Sequence, residues 1–386
     1  MTIPIVRHVG TAARTLWGDG ALGQLPAELD RVGSQRVVAV VARSVAARSD
    51  LMGALGDTLG GRLIDVFSDV REHSPYPQVQ MAADLLASLE ADSVLAVGGG
   101  SAIVTARAAT ILACEKREIR ELATQRGADG RLVSPRLSAE KIPNFILATT
   151  PSTAYAKAGA AVRDPETGER LALFDPKMRA QTVIFDPVFA LTAPASLVSS
   201  ASLNVMAMAV DGMQAVGENP LAEALLAQGL REVRDHLPRV TEDGADAQAR
   251  IRLMLAALLV GQGSDFAGTG IAQALSHALG PRSTVANGVV EAMLLPHTAS
   301  YNADVTGLSQ VRIAETFRTH EQTGGLPALV SQYLAALGAP RTLREIGISK
   351  SVLDEVIEHT LDDWFITRVP KKVDRAALRN ILESAW

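Results

Sequence analysis

Three glycines and a serine stand between a hydrophobic stretch and a helical pattern: Gly98, Gly99, Gly100 and Ser101. Glycines let the backbone approach a phosphate closely, and the first turn of a helix offers unpaired N–H groups and the positive end of its dipole. The chemistry that this pattern indicates is the binding of a nucleotide phosphate. The alternative is a tight turn in which the serine only caps the helix.

A second polar loop, ATTPSTAYA at residues 148–156, follows another hydrophobic run. Its threonines are Thr149, Thr150 and Thr153. Taken alone, such a loop is weak evidence for a binding site. Together with the glycine loop, it predicts a nucleotide that lies across the ends of neighbouring strands.

The stretch QALSHALGPRSTVANGVVEAMLLPH, residues 273–297, contains two helical patterns separated by a Gly-Pro break. His277 and His297 stand in it, at a spacing that does not match a pair of metal ligands on one helix face. A lone helical histidine is more often structural than a ligand. Its imidazole can also exchange a proton near neutral pH, which makes it a candidate for acid–base chemistry.

Two halves with different patterns must position these residues. Up to about residue 187, β-rich runs such as RVVAVVA (36–42) and DSVLAVGGG (92–100) alternate with helical segments, which favours a parallel, doubly wound sheet. The later segments have helical spacing only. We therefore predict a Rossmann-like α/β domain over residues 1–187 and an all-helical domain over residues 188–386, with the substrate between them.

The composition limits the classes of function. A formal charge of −5 and a pI near 5.9 argue against a nucleic-acid partner, which needs a basic face. The single cysteine, Cys114, excludes an internal disulfide and a thiolate metal cluster. The start of the chain has no signal-peptide pattern, and no apolar run is long enough to span a bilayer. We expect a soluble cytoplasmic protein with a small-molecule substrate and no membrane partner.

The order and spacing of four motifs resemble the iron-containing alcohol dehydrogenase family, which includes glycerol dehydrogenases and maleylacetate reductases and is related to dehydroquinate synthase. The motifs are WGDGALGQLPAEL at 17–29, GGGSAIVTAR at 98–107, ATTPST at 148–153 and SHALG…NG…AMLLPH…YN between 276 and 302. The resemblance covers nearly the whole chain. It implies the dehydroquinate synthase-like fold, a nicotinamide cofactor, and hydride transfer between that cofactor and an alcohol or carbonyl group.

By this resemblance, the glycine loop would hold the pyrophosphate of NAD(P), and the three threonines would line its adenosine side. The family often has an acidic residue at the end of the second strand, where it accepts the ribose 2′-hydroxyl. Here Arg43 and Ser44 stand near that position. They could attract a 2′-phosphate, which favours NADPH slightly over NADH. Alternatively, Arg43 is an ordinary surface residue.

The resemblance also implies a metal site made of one aspartate and three histidines from the helical domain. The corresponding positions carry Asn204, Met208, Gln273 and Asn287. Amides and a thioether are poor ligands for Fe²⁺ or Zn²⁺, which take imidazole and carboxylate. We therefore predict no metal, and we expect these side chains to line a polar substrate pocket instead.

Different side chains would have to replace the metal in polarising a carbonyl. His277 corresponds to a family histidine near the nicotinamide and could donate a proton, or it could only pack between the domains. Tyr155 and Lys157 lie two residues apart on a predicted strand, and hence on one face. Lys157 could stabilise the oxygen, bind a substrate carboxylate or simply face solvent. Val104 and Arg107 are further departures, since the family usually has Asp and Lys there.

The sequence favours a metal-independent NAD(P)-dependent oxidoreductase that acts on a small polar carbonyl or keto acid. A maleylacetate reductase-like enzyme is a narrower alternative, although that branch usually keeps histidines which this chain lacks. The chain could instead be a catalytically inactive nucleotide-binding homologue, or it could use the nucleotide without redox chemistry. The family also implies a homodimer formed at the edge of the α/β domain, to which the apolar segment TIPIVRHV (2–9) could add a strand.

Overall fold

The computed structural model describes residues 8–10, 12–127, 132–215, 217, 219–318 and 323–386. The chain divides into two compact units: Thr11–Ala193, the α/β unit, and Pro194–Trp386 with Met1–Gly10, the helical unit. The sequence-based boundary at residue 187 coincides with the first residue of a short helix in the α/β unit. The N-terminal strand predicted over residues 2–9 lies outside the described residues, apart from its last two positions.

The α/β unit alternates strands and helices as the sequence predicts. Its described strands are β1 (Arg14–Trp17), β2 (Val37–Val41), β3 (Leu63–Phe67), β4 (Ser93–Gly98), β5 (Gln125–Arg126), β6 (Leu132–Val133), β7 (Asn144–Ala148), β8 (Gly159–Arg163), β9 (Arg170–Phe174) and β10 (Thr182–Phe185). Its described helices are α1 (Leu25–Val32), α2 (Arg43–Ala46), α3 (Ser49–Leu59), α4 (Tyr76–Ser88), α5 (Gly100–Glu115), α6 (Ile119–Leu122) and α7 (Pro187–Ala190).

The main sheet has the strand order β1-β10-β7-β4-β2-β3, and all its pairings are parallel. Strands β2, β4, β7 and β10 are buried along their whole length, which explains their continuous apolar sequences. The predicted parallel α/β fold is therefore confirmed. Strand β1 was not predicted, because it is short and ends in the exposed side chain of Trp17.

The register of the strand pairs places the carboxyl ends of β2, β4 and β7 side by side. Val41 at the end of β2 pairs with Val97 in β4, and Gly98 at the end of β4 pairs with Ala148 at the end of β7. The loops that follow β2, β4 and β7 consequently leave one edge of the sheet together. In open α/β sheets this edge is the usual position of a ligand site.

The helical unit contains no strand in its described part, so the all-helical prediction for this half is confirmed. Its described helices are α8 (Ala195–Ala215), α9 (Pro220–Glu242), α10 (Ala247–Ser264), α11 (Ile271–Leu279), α12 (Asn287–Phe317), α13 (Leu326–Ala336), α14 (Leu353–Asp362) and α15 (Arg375–Ser384). None of the helices in the described chain has the length and apolar composition needed to cross a membrane.

Two glycines let helices of this unit approach one another closely. A Cβ at Gly288, in the first turn of α12, would overlap the carbonyl oxygen of Ser200 in α8. A Cβ at Gly270, which precedes α11, would overlap the carboxyl group of Asp211 in α8. Because both positions lack a side chain, α8 can bring polar residues directly against α11 and α12.

Candidate active site

The glycine loop joins β4 to the N-terminus of α5. Gly98 has a φ of +146°, and a Cβ there would lie 2.7 Å from Cβ of Ala42. A Cβ at Gly99 would lie 2.5 Å from Oγ1 of Thr150. Both positions therefore require glycine for close packing of the loops. The first N–H groups of α5 lack acceptors within the helix, so they can bind phosphate oxygens.

The threonine-rich loop after β7 lies against the glycine loop. The backbone N–H of Thr149 donates to the carbonyl oxygen of Gly98 at 3.1 Å. Thr149 and Thr150 are buried, whereas Thr153 is half-buried. The predicted adjacency of the two loops is thus observed, and the binding of a nucleotide by them stays a prediction.

The strand predicted over Tyr155 and Lys157 is wrong. Residues Thr153–Tyr155 form one turn of 3-10 helix, in which the side chain of Ser152 accepts the N–H of Ala154 as a cap. The following strand, β8, begins only at Gly159. Tyr155 and Lys157 therefore do not share a strand face, and Lys157 lies half-buried in the connection between turn and strand.

Tyr155 is enclosed in the α/β unit rather than presented to a ligand. Its side chain is 1% exposed, its ring centroid lies 5.1 Å from that of Phe185, and its hydroxyl donates to the carbonyl oxygen of Thr150. Burial raises the pKa of this phenol well above its usual value. This position favours a role in holding the threonine loop over the predicted role in catalysis.

Arg107, where the family usually has lysine, is fully buried and supports the same segment. Its guanidinium donates to the carbonyl oxygen of Gly159 at 2.8 Å and to that of Ala154 at 2.9 Å. Both acceptors flank the connection from the threonine loop to β8. The buried guanidinium therefore fixes the backbone of this connection through its two carbonyl oxygens.

Arg43 begins α2 directly after β2 and belongs to a small charged cluster. Its Nη2 lies 3.0 Å from Oδ1 of Asp69, and Nε of Arg71 lies 3.2 Å from the same oxygen. The Arg71 guanidinium, with smaller contributions from Gln78 and Arg43, holds the pKa of Asp69 below its usual value. The side chain of Arg43 is 64% exposed and thus accessible to a ligand, as is the neighbouring Ser44.

His277 forms a hydrogen-bonded pair with Asp363 in the helical unit. Nδ1 of His277 lies 2.7 Å from Oδ2 of Asp363, and the other carboxylate oxygen accepts the backbone N–H of Phe365 at 2.8 Å. The ring of Phe365 packs edge-on against the imidazole, with 4.9 Å between centroids. The carboxylate thereby fixes the imidazole with Nδ1 as the donor, which leaves Nε2 as the nitrogen that can exchange a proton.

A cluster of polar side chains, the buried acid cluster, joins α8, α11 and α12. Its five members are Asn204, Asp211, Gln273, Ser276 and Glu291. The amide of Asn204 lies 2.5 Å from Oε2 of Glu291, and the hydroxyl of Ser276 donates to Oε1 at 2.8 Å. The amide of Gln273 donates to Oδ2 of Asp211 at 3.4 Å. Two positions of the implied metal site thus serve instead as partners of buried carboxyl groups.

Burial governs the protonation of both acids. It raises the pKa of Asp211 to about 7, against the opposing effect of the hydrogen bonds from Gln273. It raises the pKa of Glu291 to about 8, where the hydrogen bonds from Ser276 and Asn204 oppose it and the charge of Asp211 adds to it. Both carboxyl groups are therefore much harder to ionise than exposed ones.

Met208 and Asn287 differ from the other two residues predicted to line the pocket. Met208 is half-buried, one helical turn after Asn204. Asn287 is exposed at the first position of α12, with its side-chain oxygen packed against Gly280. Within the described chain, no hydrogen bond connects either side chain to the buried acid cluster.

The donor chemistry of this region does not fit a transition metal. In the described ranges, no three His, Cys, Asp or Glu side chains are grouped so that they could hold a metal ion. The four positions that the resemblance assigns to ligands offer amides and a thioether, and two of these amides are engaged by carboxyl groups. We therefore derive no chemical step from a metal.

Sequence reasoning missed the acidic residues of the buried acid cluster and of the His277–Asp363 pair. Asp211 and Glu291 are isolated acids within apolar helical stretches, AMAVDGMQAV and VVEAMLL. An acid in such a context signals burial, so the sequence does contain a sign of them. Asp363 lies 86 residues from its partner His277, in a stretch with further acids, so no local pattern identifies it.

Comparisons with known proteins agree with this architecture. The family model described as iron-containing alcohol dehydrogenase matches residues 12–187, and the one described as Fe-containing alcohol dehydrogenase family, C-terminal, matches residues 198–386. The two matches together cover most of the chain.

Individual relatives match along nearly their whole length. A 4-hydroxybutyrate dehydrogenase from Cupriavidus necator is 28% identical, over 95% of this chain and 96% of the relative. Maleylacetate reductase 1 from Cupriavidus pinatubonensis is 25% identical, over 97% and 95%. The crystal structure of sulfoacetaldehyde reductase from Bifidobacterium kashiwanohense in complex with NAD⁺ has the same fold, with a TM-score of 0.87 over 99% of both chains at 16% identity. The resemblance found in the sequence is confirmed: the chain belongs to the iron-containing alcohol dehydrogenase family.

Proposed function

We propose that this protein is a nicotinamide-dependent alcohol dehydrogenase or carbonyl reductase that works without a bound metal ion. The observation that carries the proposal is the intact His277–Asp363 pair, in a unit whose implied metal-ligand positions hold amides and a thioether. A metal-dependent mechanism would need ligands that this chain lacks. An acid–base mechanism needs only an oriented imidazole, which the chain has.

The α/β unit binds the nucleotide. The glycine loop and the first turn of α5 bind its pyrophosphate, and the buried hydroxyl-bearing loop after β7 holds the glycine loop in place. A bound nicotinamide supplies or accepts the hydride. Tyr155 and Arg107 keep the threonine loop in position through backbone carbonyls.

His277 acts as the general acid and general base. In the reductive direction, Nε2 of His277 donates a proton to the substrate oxygen, and in the oxidative direction it removes one. Asp363 accepts the hydrogen bond from Nδ1 throughout, so the ring keeps its orientation. These roles replace the polarising effect of a metal with general acid–base catalysis.

The substrate class that fits best is a small carbonyl compound with a second polar group, such as a keto acid or its alcohol. Relatives named 4-hydroxybutyrate dehydrogenase and maleylacetate reductase support this class, since both names denote compounds with a carboxylate. A maleylacetate reductase-like activity is the narrower candidate, favoured by the number of relatives with that name.

NADPH is the proposed preferred cofactor. Arg43 follows β2 and Arg71 follows the neighbouring strand β3, and both guanidinium groups lie beside Asp69. Guanidinium groups at this place can bind the 2′-phosphate that distinguishes NADPH from NADH. Replacing Arg43 with alanine is expected to lower the ratio of NADPH to NADH affinity about tenfold, since a charge-assisted hydrogen bond to phosphate contributes about 1.5 kcal/mol at a solvent-exposed position such as this one. Fluorescence titration with each cofactor measures this ratio.

Arg48→Ala is the matched control, because Arg48 is also an exposed arginine of the α/β unit paired with an aspartate. It should leave the ratio unchanged. An unchanged ratio in Arg43→Ala as well would show that Arg43 does not select the cofactor.

The proposed function has a direct first test in nucleotide binding. Chelator-treated protein is titrated with NADPH and then with NADH, and the nicotinamide fluorescence is followed. Saturable binding is expected, because the glycine loop and helix N-terminus need no metal. Absence of binding for both cofactors would remove the basis of the dehydrogenase proposal.

A further inference from the structure

Two carboxyl groups lie together inside the helical unit without a compensating cation. Asp211 is 1% exposed and Glu291 is 3% exposed. Their hydrogen-bond partners are amides and a hydroxyl, and no Lys, Arg or His of the described chain forms an ion pair with either acid. Two unpaired buried carboxylates near one another would be very costly, so at least one of them must carry a proton.

Asp211 is the better place for the remaining negative charge. Its Oδ2 occupies the space left by the missing side chain of Gly270, at the N-terminus of α11, and it accepts the side-chain N–H of Gln273 at 3.4 Å. The positive end of the helix dipole favours a carboxylate at this point.

The contact of Glu291 with Asn204 fits a protonated acid. The distance of 2.5 Å is short for an amide N–H donating to a carboxylate, but it lies in the range of an O–H donating to an oxygen. Rotation of the asparagine amide by 180° exchanges its nitrogen and oxygen, so the amide oxygen can equally occupy this place. The hydroxyl of Ser276 then donates to the other oxygen of Glu291.

We propose that Glu291 is a neutral carboxylic acid that donates its proton to the amide oxygen of Asn204, so that a proton takes the place of the cation in metal-dependent relatives. The inference deepens the proposed metal-independent function and rests on it, because a metal ion on these side chains would displace the proton. With its oxygen bound to Glu291, the half-buried Asn204 is left with its N–H groups free to bind a substrate oxygen. Glu291 thus acts as a positioning residue for Asn204.

Infrared spectroscopy of the chelator-treated full-length protein at neutral pH tests the protonation state. The wild type is expected to show a carbonyl band of a buried protonated carboxyl group, which shifts slightly in D₂O. Glu291→Gln should abolish this band, and the matched variant Asp211→Asn should retain it. Absence of the band in the wild type, or its loss in Asp211→Asn but not in Glu291→Gln, would overturn the assignment.

Substrate kinetics test the positioning of Asn204. Glutamine at position 291 can donate to the same amide oxygen, so Glu291→Gln should keep the KM of the wild type, while Glu291→Leu should raise KM about tenfold through the released amide. Circular dichroism confirms that both variants fold. Equal KM values for the leucine and glutamine variants would contradict the positioning role.

The infrared result does not depend on turnover, so the two proposals can fail separately. A protonated Glu291 in a protein without activity leaves the assignment intact and refutes the proposed function. Stoichiometric uptake of Zn²⁺ or Fe²⁺ that removes the band would refute the statement that the proton takes the place of a cation in this protein. Asn204→Asp combined with Met208→His, Gln273→His and Asn287→His restores the ligand types of the family and serves as the positive control for metal uptake.

Discussion

Replacing His277 with asparagine is expected to lower kcat by about 100- to 10,000-fold, the usual contribution of a general acid or base. Asparagine can keep the hydrogen bond to Asp363 but cannot exchange a proton at the position of Nε2. The Kd for NADPH should stay unchanged, because the proposed nucleotide loops belong to the other unit. Steady-state kinetics in both directions, with a fluorescence titration, measure the two quantities.

His359→Asn is the matched control for that experiment. His359 is an exposed histidine of α14 in the same unit, its Nδ1 lies 3.4 Å from Nη2 of Arg282, and no hydrogen bond in the described chain joins it to Asp363. Its replacement should not change kcat. If kcat of His277→Asn remained at the wild-type value, the proton would have to come from another group, and the proposed role of the His277–Asp363 pair would be wrong.

Adding a single methyl group to the glycine loop is expected to weaken nucleotide binding. Gly99→Ala should raise the Kd for NADPH about 10- to 100-fold, because the new Cβ would lie 2.5 Å from Oγ1 of Thr150 and force the two loops apart. Overpacking of this kind costs about 1–3 kcal/mol, and each 1.4 kcal/mol corresponds to a tenfold change in Kd. A fluorescence titration of the variant gives the Kd directly.

Gly61→Ala provides the comparison within the same unit, since a Cβ at that glycine has no neighbour within 4 Å. Its Kd should equal that of the wild type. Thermal unfolding of both variants separates a local change in the loop from a general loss of stability. Wild-type affinity in a folded Gly99→Ala protein would show that the nucleotide does not depend on the packing of this loop.

The parts of the fold that the sequence predicts correctly are those with continuous local patterns. Strands β2, β4 and β7 are fully buried apolar runs, and the order of such runs with helices determines a parallel sheet. The glycine and threonine loops can be predicted for the same reason, because each follows directly on its strand. Their contact through Gly99 and Thr150 then follows from the register of β4 and β7.

The prediction fails where a short local interaction outweighs the pattern. A strand is predicted over AYAKA, but the side chain of Ser152 caps a 3-10 turn at that point. The turn buries Tyr155 and removes it from the face expected for Lys157. A serine directly before a turn is weak evidence for such a cap, since serine occurs in many loop conformations.

The remaining site residues depend on tertiary contacts. Asp363 meets His277 across 86 residues, and Asp69 meets Arg43 only because β2 and β3 are neighbours. Asp211 and Glu291 can be identified from the sequence as buried acids, but their partners cannot, since the cluster draws on three different helices. The sequence indicates the loss of the metal ligands. The hydrogen bonds that engage Asn204 and Gln273 in their place are visible only in the fold.

Oxidoreductase activity without a metal can be tested in a single assay. Oxidation of NADPH and NADH is followed with a panel of small keto acids and semialdehydes, using chelator-treated protein whose metal content has been checked by elemental analysis. We predict turnover with at least one of these carbonyl compounds, at a rate that added Fe²⁺ or Zn²⁺ does not increase. A protein that is inactive in this state and gains activity when either metal is added would contradict metal-independent catalysis.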